Sequence, residues 1–269
     1  MNDPLTRLES ILRDTDGVAV AFSGGRDSTL LLAAALRALP PQRVVAFLGV
    51  SPLLPGRERD AALTVAEQLG VEAVEFYTDP LTNPEIEANG PDRCYHCKRA
   101  LLLRFDEEAR RRGVILVEGT QRDDDPGERP GARALRELRV RSPLWEAGLG
   151  RAEITGISRQ LGLATADRHS ESCLATRVPA GTPLDAALLA RIEAAEDLLV
   201  AAGFPGCRAR HHGDLLRVEI PAADLPRLVR TRLRSRLLED LRTLGWRHVT
   251  VDLAGYRTGS HAAPTREDA

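Results

Sequence analysis

Short apolar runs rich in valine alternate, along the first half of the chain, with longer stretches of helical period. Leu5, Leu8, Ile11 and Leu12 fall on one helical face. VAVAF follows Asp16-Gly17 and reads as a strand buried on both faces. TLLLAAALRAL is dense in strong helix formers, and Pro40-Pro41 must stop the helix it predicts. RVVAFLGV gives the next strand, residues 57–69 a helix ended by Gly70, and VEAVEFY a further strand. Residues 97–112 predict a long helix, followed by Gly113 and the strand VILVEGT. Strand–helix alternation of this kind predicts an α/β fold: a doubly wound parallel sheet that binds ligands at the carboxyl ends of its strands.

The pattern then changes. Residues 123–131, DDDPGERPG, are too polar and turn-rich for a core element and predict a surface loop. SPLWEAGLGRAEITGISRQLGL reads as a proline-marked start and an amphipathic helix. Beyond Pro183, a helix over residues 185–202 precedes CRARHH, the strand LLRVEI, helical RLVRTRLRSRLLEDLRTLG and the strand HVTVDL. That order predicts a smaller α+β domain. The expected division is a nucleotide domain over residues 1–175, a substrate-binding and oligomerisation domain over 176–260, and a disordered tail over 261–269.

Composition narrows the function. The net charge over 269 residues is -2 with arginines dispersed, so no basic tail announces nucleic acid. MNDPLTRLES lacks the features of a secretory signal, and no run approaches the roughly 18 apolar residues of a membrane span. A soluble cytoplasmic enzyme is the expectation. Four cysteines do not make a disulfide framework in a chain of this size, and Cys94-Tyr-His-Cys97 reads as metal-binding or redox chemistry.

Residues 23–28, Ser-Gly-Gly-Arg-Asp-Ser, lie between a buried strand and a helix. Gly24 and Gly25 let the backbone approach a phosphate, and the helix N-terminus adds N–H donors. Ser23 and Ser28 supply hydroxyls, while Asp27 could orient Mg²⁺. The loop has neither the lysine nor the spacing of a Walker motif. SGG-x-DS resembles instead the PP-loop of enzymes that split ATP between its α- and β-phosphates. Cys94 and Cys97 can reach one metal, and Cys173 could complete a trio that holds a [4Fe–4S] cluster with one iron open. The same trio suits Zn²⁺ with His96 or His169, and the cysteines could equally be small packing residues. Cys207 reads as structural. Arg208 and Arg210, two apart on a strand, face the same side and could grip a phosphate or carboxylate, or could simply face solvent. His211 or His212 could move a proton.

Taken in order, SGG-x-DS, CYHCKRALL, EGT followed by DD and RPG, SPLWEAGL, CLATRVPAGT, RHHGD and VDLAGYRTGS resemble the LarE family over nearly the whole chain. These are ATP-dependent sulfur transferases that build the nickel-pincer nucleotide cofactor of lactate racemase. The resemblance implies ATP and Mg²⁺ at residues 23–28, adenylation of a carboxylate of pyridinium-3,5-biscarboxylic acid mononucleotide, and displacement of AMP by sulfur. It implies two sulfur sources: sacrifice of the cysteine matching Cys173, or a [4Fe–4S] cluster on Cys94, Cys97 and Cys173. The presence of all three favours the cluster. It also implies that Arg208 and Arg210 anchor the substrate phosphate and that Glu196 lies in the substrate site. Arg177, four after Cys173, could be a further anion ligand, and packing or a salt bridge is an equal alternative. Closed homo-oligomers are expected of the family.

Departures from the family pattern include Arg26 within SGG-x-DS, Gly127 before RPG, Arg168-His169 in place of Lys-Pro, and Ala180 in place of a tyrosine. Two readings compete. A tRNA thiolase would require a basic substrate face, and a non-enzymatic nucleotide- or iron–sulfur-binding regulator would bind ATP without releasing pyrophosphate.

Overall fold

The computed structural model describes residues 3–124, 130–168 and 172–256. The chain forms two units, one of Met1–Ile86 and Pro91–Glu171, the other of Glu87–Gly90 and Ser172–Ala269. Through the first unit run α1 (Pro4–Arg13), β1 (Val18–Ala21), α2 (Arg26–Ala38), β2 (Val44–Val50), α3 (Gly56–Gln68) and β3 (Ala73–Tyr77). After α4 (Pro84–Glu87) come α5 (Arg93–Arg111), β4 (Ile115–Val117), α6 (Pro130–Leu138), α7 (Pro143–Glu146) and α8 (Arg151–Gln160).

The four strands pair in the order β3-β2-β1-β4, all parallel, with Val18 opposite both Val44 and Ile115. Alternation along the strands divides the core into two layers. Val18, Val20, Ala46 and Leu48 pack with Leu8 and Leu12 of α1, Leu30 and Leu31 of α2, and Ile154 and Ile157 of α8. Ala19, Val45, Phe47 and Leu116 face the other way, onto Leu102 and Phe105 of α5 and Ala134 and Leu135 of α6. Helices therefore cover both faces, as the continuous apolar runs require. Strand order reverses direction at β1, whose neighbours are β2 and β4, and this places a ligand crevice at the carboxyl ends of β1 and β4.

Local differences from the sequence expectation have physical causes. The polar stretch 123–131 does not run its full length as a loop, because Pro130 opens α6; residues 125–129 lie outside the described residues. The helix α6 is short, and burial of Ala134 and Leu135 against α5 is what holds it. The segment around SPLWEAGL forms two helices, α7 and α8, interrupted by Gly148-Leu149-Gly150. The long helix with CYHC starts at Arg93, so the cysteines lie inside its first turns.

In the second unit, α9 (Ala186–Ala201) is capped by the Asp185 side chain, which accepts from Leu188 N–H at 2.8 Å. It is followed by β5 (Arg208–His212), β6 (Leu215–Glu219), α10 (Leu225–Leu228), α11 (Thr231–Thr243) and β7 (His248–Val251). The sheet order is β5-β6-β7, antiparallel then parallel. The arginine-rich segment expected as one helix is broken into α10 and α11 at Val229-Arg230. Hydrogen bonds explain why Glu87–Gly90 joins this unit. Leu184 N–H donates to Glu87 O at 2.8 Å, Gly181 N–H to Asn89 O at 3.0 Å, and the Asn89 amide to Pro179 O at 2.9 Å. The expected tail over 261–269 lies outside the described residues.

Candidate active site

In the first unit, β1 delivers the chain into Ser23-Gly24-Gly25 and α2 begins at Arg26 with Gly25 as its cap. Gly24 has φ +69° and lies so close to α3 that a Cβ would stand 2.7 Å from Ala62 Cα. Only glycine meets both conditions without strain. The Ser28 hydroxyl donates to Gly25 O at 3.2 Å and accepts from Ser23 N–H at 3.3 Å, with Ser23 Oγ 3.2 Å away. These contacts close the loop into a cradle at the positive end of α2.

From the other side of the strand reversal comes Glu118-Gly119-Thr120, just past β4. Gly119 crosses the start of α2 so closely that a Cβ would sit 3.3 Å from Ser28 N. Glu118 is buried, accepting from Thr120 N–H at 3.0 Å, Thr120 Oγ1 at 2.9 Å and Ser142 Oγ at 2.5 Å. The loop and this segment enclose a cavity of about 290 Å³ lined also by Arg26, Asp27, Lys98, Asp124 and Arg168. Its charges are mixed: Lys98 Nζ lies 3.4 Å from Glu118, and Arg26 Nε 3.0 Å from Asp27. Arg168 bonds Glu58 at 2.8 Å and Gly24 O at 3.2 Å. Such a cavity, with amides at one end and cations around it, suits a polyphosphate. Asp27 and Asp124 suit Mg²⁺, which needs one or two carboxylates when phosphates and water complete its shell.

Of the loop residues named from the sequence, Ser23, Gly25, Asp27 and Ser28 line the cavity and Gly24 does not, while Lys98, Glu118, Thr120, Asp124 and Arg168 were missed. The available signal was EGT at the end of the strand flanking β1, where α/β crevices form. Lys98 directly follows Cys97 on α5, so the helix carrying the cysteine pair also reaches the cavity.

The three expected thiols are divided between the units. Cys94 is exposed and Cys97 half-buried, three residues apart on α5, whereas Cys173 is half-buried in the second unit. As a donor set, three thiolates suit a [4Fe–4S] cluster. Among the described residues no three His, Cys, Asp or Glu side chains stand together as a metal site. Cys207 is buried, its thiol 3.6 Å from Glu196 O.

Cys173 caps a single 3-10 turn, Leu174–Arg177. Arg177 and Glu196 form a fully buried pair, with Nε and Nη2 on the two carboxylate oxygens at 2.8 and 3.1 Å. Arg210 makes the same fork with Glu219 at 2.8 and 2.9 Å. Arg208 is 2% exposed, donates to Cys207 O at 2.7 Å and stacks 4.6 Å from the Tyr256 ring centre. The expected anion grip of Arg177, Arg208 and Arg210 thus falls on arginines that are buried and engaged with protein partners, not on solvent-facing ones. His211 Nδ1 accepts from Trp246 Nε1 at 3.2 Å, and burial, then Arg191 and His212, holds its imidazole below the ordinary range.

No family model matches the chain. It is 35% identical over 253 residues to the pyridinium-3,5-bisthiocarboxylic acid mononucleotide synthase of Lactiplantibacillus plantarum, covering 94% of this chain and 91% of that protein. An uncharacterized protein of Synechocystis is 32% identical over 260 residues, covering 96% and 97%. One of Methanocaldococcus jannaschii is 26% identical over 242 residues, covering 90% and 91%.

Proposed function

Because the chain belongs to the LarE family of pyridinium-3,5-bisthiocarboxylic acid mononucleotide synthases, we propose that it converts a carboxylate of pyridinium-3,5-biscarboxylic acid mononucleotide to a thiocarboxylate at the expense of ATP. The observation that carries the reading is the cavity that SGGRDS forms with Glu118-Gly119-Thr120 in a chain with this likeness to the synthase.

A carboxylate is a poor electrophile and oxide a poor leaving group, so activation must come first. The substrate carboxylate oxygen attacks the α-phosphorus of ATP, and the bond to the β-phosphate breaks to release pyrophosphate. The amides at the start of α2, the Ser28 hydroxyl and Lys98 stabilise the charge that gathers on the phosphates, and Asp27 would hold a Mg²⁺ ion, which would supply charge neutralisation for pyrophosphate. A sulfur nucleophile then attacks the acyl carbon and AMP departs with the bonding pair, leaving the thiocarboxylate.

Cys173 is the residue through which sulfur arrives. A [4Fe–4S] cluster on Cys94, Cys97 and Cys173 would, when bound, present a transferable sulfide at its open iron. The presence of all three cysteines supports this source over consumption of Cys173.

The test is anaerobic purification with iron and sulfide counted, then incubation with ATP, Mg²⁺ and the pyridinium dicarboxylate. AMP, pyrophosphate and a product with one oxygen exchanged for sulfur are expected. Asp27→Ala should abolish all three, whereas Cys173→Ala should still release pyrophosphate but form no thiocarboxylate. Absence of AMP from the complete mixture would overturn the proposal. Repeated turnover with Cys173 unchanged in mass supports the cluster, and a single turnover with loss of its sulfur removes it.

A further inference from the structure

Two buried arginines in the second unit share one arrangement. Arg177 spends Nε and Nη2 on Glu196, and its Nη1 donates to Ser172 O at 2.7 Å, Ser172 Oγ at 2.8 Å, Thr176 Oγ1 at 3.0 Å and Cys173 O at 3.2 Å. Arg210 spends Nε and Nη2 on Glu219, and its Nη1 donates to Thr176 O at 2.9 Å. In each case a carboxylate orients the guanidinium and the remaining nitrogen grips the short turn that begins at Cys173. Thr176 closes the set, its hydroxyl donating back to Cys173 O at 2.8 Å. Glu196 is itself fastened to the sheet, accepting from Ala209 N–H of β5 at 3.1 Å.

The side chains of Arg177, Glu196 and Glu219 are wholly buried and that of Arg210 is 6% exposed. Buried ion pairs of this kind are weak sources of stability, because desolvation cancels most of the attraction, and apolar replacements of equal volume often pack as well. What apolar residues could not do is donate to the carbonyls of Ser172, Cys173 and Thr176. A single 3-10 turn has little internal hydrogen bonding to define its own backbone.

We propose that Arg177–Glu196 and Arg210–Glu219 are positioning pairs that lock the backbone of the Cys173 turn and so aim its thiol for sulfur transfer. This rests on the reading of Cys173 as the sulfur-bearing residue. It gives Arg177, Arg210 and Glu196 a role through Cys173, not through the substrate, and adds Glu219 and Thr176 to the site.

Arg177→Lys and Thr176→Val are the informative variants. Lysine keeps the charge and loses the fork, and valine keeps the shape and loses only the hydroxyl. Each is assayed in the full chain by circular dichroism, by pyrophosphate release, by thiocarboxylate formed per pyrophosphate, and by the rate of iodoacetamide labelling of each cysteine without ATP. The nucleotide loop belongs to the first unit, so pyrophosphate release should stay within about twofold of wild type. Thiocarboxylate per pyrophosphate should fall by about tenfold or more in Arg177→Lys and less in Thr176→Val, since small misplacements of a reacting group are costly. Labelling of Cys173 should accelerate at least about fivefold while Cys94 and Cys97 keep their rates, because a loosened turn exposes the thiol. A folded variant with unchanged coupling and unchanged Cys173 labelling would overturn the proposal, as would a proportional loss of both steps. If Arg177→Lys fails to fold, Thr176→Val decides. If wild type itself forms no thiocarboxylate, the sulfur-transfer reading fails, while the labelling rates still judge the positioning.

Discussion

Replacing Gly24 by alanine should damage the SGGRDS loop far more than the same change next door at Gly25. At Gly24 the backbone has φ +69°, where an L side chain costs about 1–2 kcal/mol. The added Cβ would also stand 2.7 Å from both Cα and Cβ of Ala62, against an ordinary carbon–carbon contact near 3.5–4.0 Å. Relieving that overlap requires the loop to retreat from α3 by roughly 1 Å, and overpacking of this sort costs about 1–3 kcal/mol. The sum is about 2–5 kcal/mol. Retreat also carries Gly24 O away from Arg168, now 3.2 Å distant, and moves the loop amides that line the start of α2. At Gly25 the cap residue has φ -77°, and its Cβ would meet only Ser23 Oγ at 3.3 Å, so Gly25→Ala should cost under about 1 kcal/mol. Urea unfolding of the two variants measures the difference, and calorimetric titration with ATP should show Gly24→Ala weakened by at least about tenfold. Equal stability of the two variants, or wild-type ATP affinity in Gly24→Ala, would refute the argument.

Two further outcomes can be checked directly. Phe105 of α5 joins Phe47 and Phe76 with ring centres 4.8–5.5 Å apart, so Phe105→Ala should cost about 3–5 kcal/mol in urea unfolding. A cost below about 1 kcal/mol would show that the trio does not anchor the helix that carries Cys94 and Cys97. Burial holds His211 and His212 below the ordinary histidine range, with Arg217 and Arg210 adding to the effect at His212. The unfolded chain therefore binds protons first, and stability is complete above a pH of 6.5 and declines as pH falls through it. Melting followed between about pH 7.5 and 5.5 should show this decline, and His211→Gln should flatten it; an equal slope in both proteins would refute it.

Much of the first unit was legible because its information is local. Val18, Val20, Val44 and Ala46 lie in unbroken apolar runs, which only a sheet covered on both faces can bury. The glycines of SGGRDS mark a turn whose backbone must approach something closely. Less legible was whatever depends on a neighbour distant in sequence. The helix α6 exists because Ala134 and Leu135 find α5, and its nine residues carry too weak a signal alone. The second helical stretch of the C-terminal region reads as one periodic run, yet Val229-Arg230 divides it.

Arginine shows the boundary most clearly. Sequence spacing put Arg208 and Arg210 on one side of a strand, and that side is the same in the fold. Whether an arginine meets solvent, an anion or a carboxylate depends on which residues strand pairing brings near, and Glu219, which is opposite Arg208 and diagonal to Arg210, reaches Arg210 only once β5 and β6 pair. Likewise Glu196 meets Arg177 only when α9 packs against the Cys173 turn. The order of strands and helices, the glycine turn of SGGRDS and the family were therefore set by residues near one another in the chain. The charge partners, the lining of the cavity by Lys98 and Glu118, and the grip on Cys173 were decided by tertiary packing, because a side chain's electrostatic role is fixed by its nearest neighbours in space.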